Sequence, residues 1–123
     1  PQMLENKLHK VSMNGREVFK FAVRSLSEAL NEAFEHNKMT SGDITHVIAH
    51  QANIRIIDAV LERVGIPQAK AFLNIEKYGN TSSASLPTTL DEANRAGRLK
   101  AGDTIAMMAI GAGMSYGSAL VRW

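Results

Sequence analysis

The chain has 123 residues, 45% of them hydrophobic and 21% charged, the composition of one folded domain with a single core; two independent domains and intrinsic disorder are excluded. Lys and Arg number 14 against 12 Asp and Glu, a formal charge of +2, and cations alternate with acids along the chain, which argues against a nucleic-acid-binding module. Cysteine is absent, so no disulfide, thiolate metal site or cysteine nucleophile comes from this chain.

Pro1 to Lys7 shows neither an initiator methionine nor a signal-peptide pattern, and residues 1–13 read as a lead-in to a core of 14–123. A chain opening on Pro1 is expected to be cut from something longer. Between Asn14 and Asn37, Val18, Phe21, Ala22, Leu26, Ala29, Leu30, Ala33 and Phe34 recur every three or four residues, the pattern of a long amphipathic helix. Asn14 with Glu17 reads as a capping box, and Asn37 with Gly42 marks the exit. Ile44 to Ala49 is a short, mostly apolar run and predicts a buried strand that delivers the chain to His50-Gln51-Ala52-Asn53.

Ile54 to Val64 predicts a second helix with Ile54, Ile57, Leu61 and Val64 on one stripe, Asn53 as its N-cap, Gly65 as a left-handed C-cap and Pro67 as a stop. Ala71 to Ile75 follows as a strand, Glu76 to Ser83 as a polar loop, and Ser85 to Ala96 as a third helix with Pro87 in its first turn and Gly97 at its end. Asp103 to Ile110 predicts a strand and Ser115 to Arg122 its antiparallel partner. This order predicts an α/β fold: a mixed, mostly parallel sheet with right-handed crossovers and helices on both faces. Asp43-Ile44-Thr45-His46 and Asp103-Thr104 break the apolar stretches well short of the ~18 residues of a membrane span.

Ligands of open α/β sheets bind beyond the carboxyl ends of the strands. Three clusters fall there: His50-Gln51-Ala52-Asn53, Gly79-Asn80-Thr81-Ser82 and Gly111-Ala112-Gly113. Together they offer an imidazole, a carboxamide, free backbone N–H groups and two helix N-termini, a set suited to an oxyanion rather than a cation. Taken singly, each has a structural reading: a satisfied strand-end histidine, a turn, a hairpin connection. His46 and His50 have the helical spacing of a metal pair but lie on a strand, where four residues span about 13 Å, so no metal site is expected. Met107, Met108 and Met114 read as core filler.

The stretches His50-Gln51-Ala52-Asn53-Ile54-Arg55-Ile56-Ile57, Tyr78-Gly79-Asn80-Thr81-Ser82-Ser83-Ala84-Ser85 and Leu90-Asp91-Glu92-Ala93 closely resemble the C-terminal half of the β-ketoacyl-[acyl-carrier-protein] synthase III family. The ending Gly111-Ala112-Gly113-Met114-Ser115-Tyr116-Gly117-Ser118 through Trp123 resembles it too, and the likeness runs from about Leu8 to Trp123. It implies a thiolase-like fold of two similar α/β halves, of which this chain is the second, within a cytoplasmic homodimeric acyltransferase of fatty acid biosynthesis. In that family a cysteine of the first half takes an acyl group from acyl-CoA, and malonyl on acyl carrier protein decarboxylates and attacks the thioester; no cofactor is implied.

By motif, His50 and Asn80 match the family's catalytic histidine and asparagine, and the backbone N–H of Ala112 its oxyanion-hole donor, although glycine is frequent there in the family. Met13, Gly15 and Asn53 match positions along the pantetheine tunnel. Lys20, Arg55 and Arg63 fall where the family meets the acidic carrier protein. Since the nucleophile is missing, the expectation is a C-terminal portion that is inactive alone and completed by the N-terminal half. A module kept only for carrier docking or dimerisation, or a polyketide-type condensing enzyme, are the alternatives.

Overall fold

The computed structural model describes residues 2–7 and 10–123. Pro1 and Leu8, where the lead-in and the family likeness begin, lie outside the described residues. A four-residue helix, α1 (Gln2–Glu5), precedes the long α2 (Gly15–His36). Asn14 caps α2 by accepting the Glu17 N–H at 3.4 Å. At the far end the turn closes sooner than Gly42: Lys38 takes the left-handed conformation at φ 54 and Met39 N–H returns to Phe34 O at 2.9 Å, the six-to-one bond of a Schellman closure. Gly42 belongs instead to a tight turn, Ser41–Asp43, which is pinned by the Asp43 carboxylate on Thr40 N–H at 2.7 Å and on Thr40 Oγ1–H at 3.1 Å.

Strand β1 (His46–Ala49) starts two residues later than Ile44, because Ile44 finishes that turn. Helix α3 (Ile54–Val64) has the expected bounds, with the Asn53 side chain capping Arg55 N–H at 2.9 Å and Gly65 closing it at φ 74. Its buried stripe is Ile56, Ile57, Val60, Leu61 and Val64, and Ile54 stays half-buried at the first turn. The second strand is shorter than read: β2 is only Ala71–Phe72, and Ile75–Tyr78 coils into a turn of helix, α4. Apolar content alone could not separate those two outcomes. After a tight turn at Ser82–Ala84, α5 runs Ser85–Arg95, and β3 (Thr104–Gly111) and β4 (Ser115–Arg122) form the hairpin.

The sheet order is β2-β1-β3-β4, with β1 parallel to both β2 and β3 and β3 antiparallel to β4. Side-chain alternation divides the core in two. Val47, Ala49, Ala106 and Met108 join Leu26, Leu30, Ile57 and Leu61 beneath α2 and α3; Ile48 and Ile105 join Ala93 and Leu99 on the α5 face. Met108 and Met107 pack in or against these clusters, but Met114 is exposed in the hairpin turn and is not core filler. No helix among the described residues is long and apolar enough to cross a membrane.

Leu61, fully buried between α2 and the sheet, is expected to lose about 2–5 kcal/mol on replacement by alanine, whereas exposed Arg63→Ala should stay within about 0.5 kcal/mol. Urea unfolding of both variants checks the contrast.

Candidate active site

Parallel pairing puts the carboxyl ends of β1 and β3 side by side. The register aligns Ala49 with Met108, and His50 N–H still donates to Met108 O at 2.9 Å. The imidazole therefore emerges at the rim of the sheet, half-buried. Its Nδ1 meets Ser85 Oγ, the first residue of α5, in a short hydrogen bond, and the same oxygen accepts Gln51 N–H at 3.2 Å. Burial holds the His50 pKa below its ordinary value of 6.5, since a cation at this rim loses hydration. The ring is neutral at neutral pH.

Gln51 turns inward and is 1% exposed. Its amide nitrogen donates to Ala49 O at 3.1 Å and Phe72 O at 3.3 Å, and its oxygen accepts Asn74 N–H at 3.1 Å. From there Asn74 continues the network: its Oδ1 accepts the Thr89 hydroxyl at 3.0 Å and its Nδ2 donates to Glu92 at 2.8 Å. Glu92 also receives Lys77 Nζ and the Tyr78 hydroxyl. The Lys77 and Asn74 hydrogen bonds hold the Glu92 carboxyl below the usual range, and the same contact raises Lys77. Both ends of α4 are thus fastened to α5, immediately ahead of the loop that carries Asn80.

Gly79 has φ 69 and ψ −160, a region open essentially to glycine alone, and it swings the chain out of α4. Asn80 then folds over its own backbone, its Oδ1 accepting Ser82 N–H at 2.9 Å. Among the described residues the NH2 end of the amide makes no hydrogen bond, while the oxygen is held by Ser82 N–H. His50, Asn80 and Ala112 line one open cleft of ≈ 670 Å³, with Ser82, Ser83 and Ser85 on one side and Leu86, Ile110 and Tyr116 among its apolar walls. Ala112 stands exposed at the tip of the β3–β4 turn.

His46 faces the opposite end of the strand, its Nε2 3.3 Å from Asp103, so the two histidines do not converge. No group of three or more His, Asp or Glu side chains placed to hold a metal occurs among the described residues. A second groove runs between α2 and the start of α3, lined by Gly15, Arg16, Phe19, Lys20, Asn53 and Arg55. Next to it, Lys20, Arg24 and Arg63 line a neighbouring groove with Glu17, which lies 3.7 Å from Lys20. Gly15 and Asn53 therefore share a groove with Lys20 and Arg55, and Arg63 joins through Lys20. Met13, 73% exposed before α2, does not line either groove.

Sequence reasoning did not find Ser85, Asn74, Thr89 or Glu92 as supports of the site, nor Arg16 and Arg24 as part of the basic face. The 35-residue separation of His50 from Ser85 leaves no local pattern to read, whereas the two arginines were visible as helix-face cations on the stripe of Lys20.

Against known proteins, the profile described as 3-oxoacyl-[acyl-carrier-protein (ACP)] synthase III C terminal matches residues 34–123. The chain belongs to the synthase III C-terminal family. The β-ketoacyl-[acyl-carrier-protein] synthase III of Symbiobacterium thermophilum is 46% identical over 123 residues, 100% of this chain and 37% of that protein. The synthase III of Aquifex aeolicus is likewise 46% identical, over 98% of this chain and 40% of its own length. The crystal structure of the Aquifex aeolicus enzyme superposes with a TM-score of 0.89 at 48% identity, over 91% of this chain and 36% of that one. The priming β-ketosynthase of the R1128 polyketide pathway follows at 0.81 and 38%, over 90% and 34%. Against these synthase III proteins the chain spans little more than a third of their length, and its fold is the thiolase-like one that the sequence motifs imply.

Two outcomes follow from this geometry. Gln51→Leu keeps the volume but strips Phe72 O and Asn74 N–H of their partner, so unfolding should be easier by about 1–3 kcal/mol or more, the cost of a buried polar group left unsatisfied; urea midpoints measure it. For His50, the folded chain binds fewer protons than the unfolded one near pH 6.5, so stability should decline as pH falls below that value and level off beneath the folded pKa. His50→Gln should flatten that limb in urea titrations at pH 7.5 and 5.

Proposed function

We propose that this chain supplies the enolate-stabilising half of a 3-oxoacyl-[acyl-carrier-protein] synthase III, which initiates fatty acid chains by condensing malonyl carried on acyl carrier protein with an acyl-CoA primer. The observation that carries the reading is the convergence of His50, Asn80 and the Ala112 turn on one cleft, joined to the family membership.

In the proposed reaction the bond from the malonyl carbon to its carboxylate breaks, CO2 leaves, and the electron pair moves onto the thioester as an enolate. Two neutral donors, His50 Nε2–H and the Asn80 NH2, face the oxygen on which that charge develops. Donors fixed before the reaction lower the barrier because they need no reorganisation when charge appears. The enolate carbon then bonds to the carbonyl carbon of an acyl-cysteine; the oxyanion so formed is met by the Ala112 N–H, and its collapse expels the cysteine thiolate. With no cysteine in its 123 residues, the chain needs the nucleophile-bearing half. The Ala112 methyl, where the family often has glycine, narrows the acyl side of the cleft.

The groove of Arg16, Lys20 and Arg55 with Gly15 and Asn53 suits the phosphate and amide groups of a pantetheine arm, and with Arg24 and Arg63 it presents cations to an acidic carrier protein. Such attraction raises the association rate more than the affinity. The complete subunit is read as a cytoplasmic homodimer. The R1128 likeness supports a second reading, a polyketide-type condensing enzyme using the same trio, which primer preference separates from the first.

Condensation should be undetectable with this chain alone and appear when the preceding half of a synthase III is supplied; turnover by the chain alone would overturn the reading. In the completed enzyme, His50→Ala and Asn80→Ala should each slow malonyl decarboxylation by about 10²–10³ and spare acylation of the cysteine. Equal loss of both half-reactions, followed by radiolabelled acyl transfer and CO2 release, would remove these two residues from the proposed role. Carrier binding that Arg55→Glu abolishes, with no turnover in the completed protein, would favour a docking module.

A further inference from the structure

We propose that Ser85 is a positioning residue that sets the tautomer of His50: its hydroxyl donates to Nδ1, which leaves the ring proton on Nε2, facing the cleft. The inference deepens the reading of His50 as a neutral donor, but the tautomer itself is a property of the structure and is testable apart from any reaction.

Ser85 is 2% exposed, so water does not satisfy its hydroxyl. Among the described residues Ser85 Oγ meets two partners, His50 Nδ1 and the Gln51 backbone amide. An amide N–H can only donate, so it occupies a lone pair of the serine oxygen and leaves the hydroxyl proton for Nδ1. Were Nδ1 to carry the ring proton, the oxygen would accept twice and its own hydrogen would be buried without an acceptor, the costly arrangement for a polar group. The neutral ring has one proton, so an accepting Nδ1 places it on Nε2.

Several features of the fold hold Ser85 in place to do this. It opens α5, whose first turn is tied by the Thr89 hydroxyl, its one proton shared between Ser85 O at 2.6 Å and Asn74 Oδ1 at 3.0 Å. The Gln51 amide that directs the serine proton belongs to the residue following His50, so the ring and its director move as one piece of chain. Asn80 shows the same logic, its accepting oxygen taken by Ser82 N–H. In both side chains an internal hydrogen bond engages an acceptor: the one acceptor nitrogen of the His50 ring and one lone pair of the Asn80 oxygen.

The experiment is a long-range ¹H–¹⁵N correlation spectrum of the histidine rings at neutral pH, with His50 assigned by its loss in His50→Gln, on the 123-residue protein and on the same chain completed by the preceding half. The expected result is an unprotonated Nδ1 and a protonated Nε2 in the unsubstituted protein, a mixed population in Ser85→Ala, and return to the single form in Ser85→Thr. A wild-type ring protonated at Nδ1, or an Ser85→Ala spectrum identical to wild type, overturns the proposal; should the alanine variant not fold, the wild-type spectrum alone decides. In the completed enzyme Ser85→Ala should lower kcat for malonyl decarboxylation by about 10–100-fold, the range found when the outer hydrogen-bond partner of a metal-bound histidine is lost, with KM little changed. If the tautomer shifts as expected and decarboxylation does not, the positioning role stands and the enolate reading fails.

Discussion

The buried amide of Gln51 is the contact on which the site depends. It is one residue beyond His50, yet it grips the end of its own strand at Ala49 O, the end of the neighbouring strand at Phe72 O, and the start of the next segment at Asn74 N–H. Its backbone amide reaches the first residue of α5. A four-residue strand beside a two-residue strand is a weak frame by itself, since so few ladder bonds fix it. The amide supplies the missing bonds at the point where the ladder gives out, and buried polar groups that are fully paired rigidify their surroundings. Asn74, Thr89 and Glu92 then relay that rigidity to the Asn80 loop.

This arrangement separates support from display. Polar pairing runs behind the cleft, between β1, β2, α4 and α5, while apolar walls such as Leu86 and Ile110 flank the donors in front. Walls of this kind lower the local dielectric and strengthen each donor. The same burial holds the His50 pKa below its ordinary value, because a second proton on the ring would lose hydration. The basic grooves lie on α2 and α3, and their charges stand outside the lining of the cleft.

Much of this was legible in the residues. Periodicity located α2, α3 and α5 and the β3–β4 hairpin because each contains enough residues for a repeat to show, and glycine and asparagine at their ends have direct conformational meaning. The short elements were harder. Ala71 to Ile75 is apolar but for Asn74, and whether Leu73 to Ile75 extends or coils is decided by that residue meeting Gln51 and Glu92 across the fold, which no window of sequence contains. Of the three clusters that line or adjoin the cleft, those at His50 and Gly111 lie at the ends of β1 and β3 as read, whereas Gly79-Asn80 follows α4 and not a strand. Their supports were not legible, because Ser85 and Glu92 look like ordinary helix residues until the fold sets them beside His50 and Lys77.

Asn80 owes its aim to a backbone N–H, that of Ser82, and not to any neighbouring side chain. Every residue but proline has that N–H, so the aim is indifferent to what residue 82 displays, subject to its backbone: Ser82 sits at φ 54, where Asn and Gly are admitted readily and β-branched residues are not. The side chains of Ser82 and Ser83 meanwhile line the cleft. The loop is thus a mount with interchangeable facing: its rim can be resized or repolarised while the amide it holds keeps its direction.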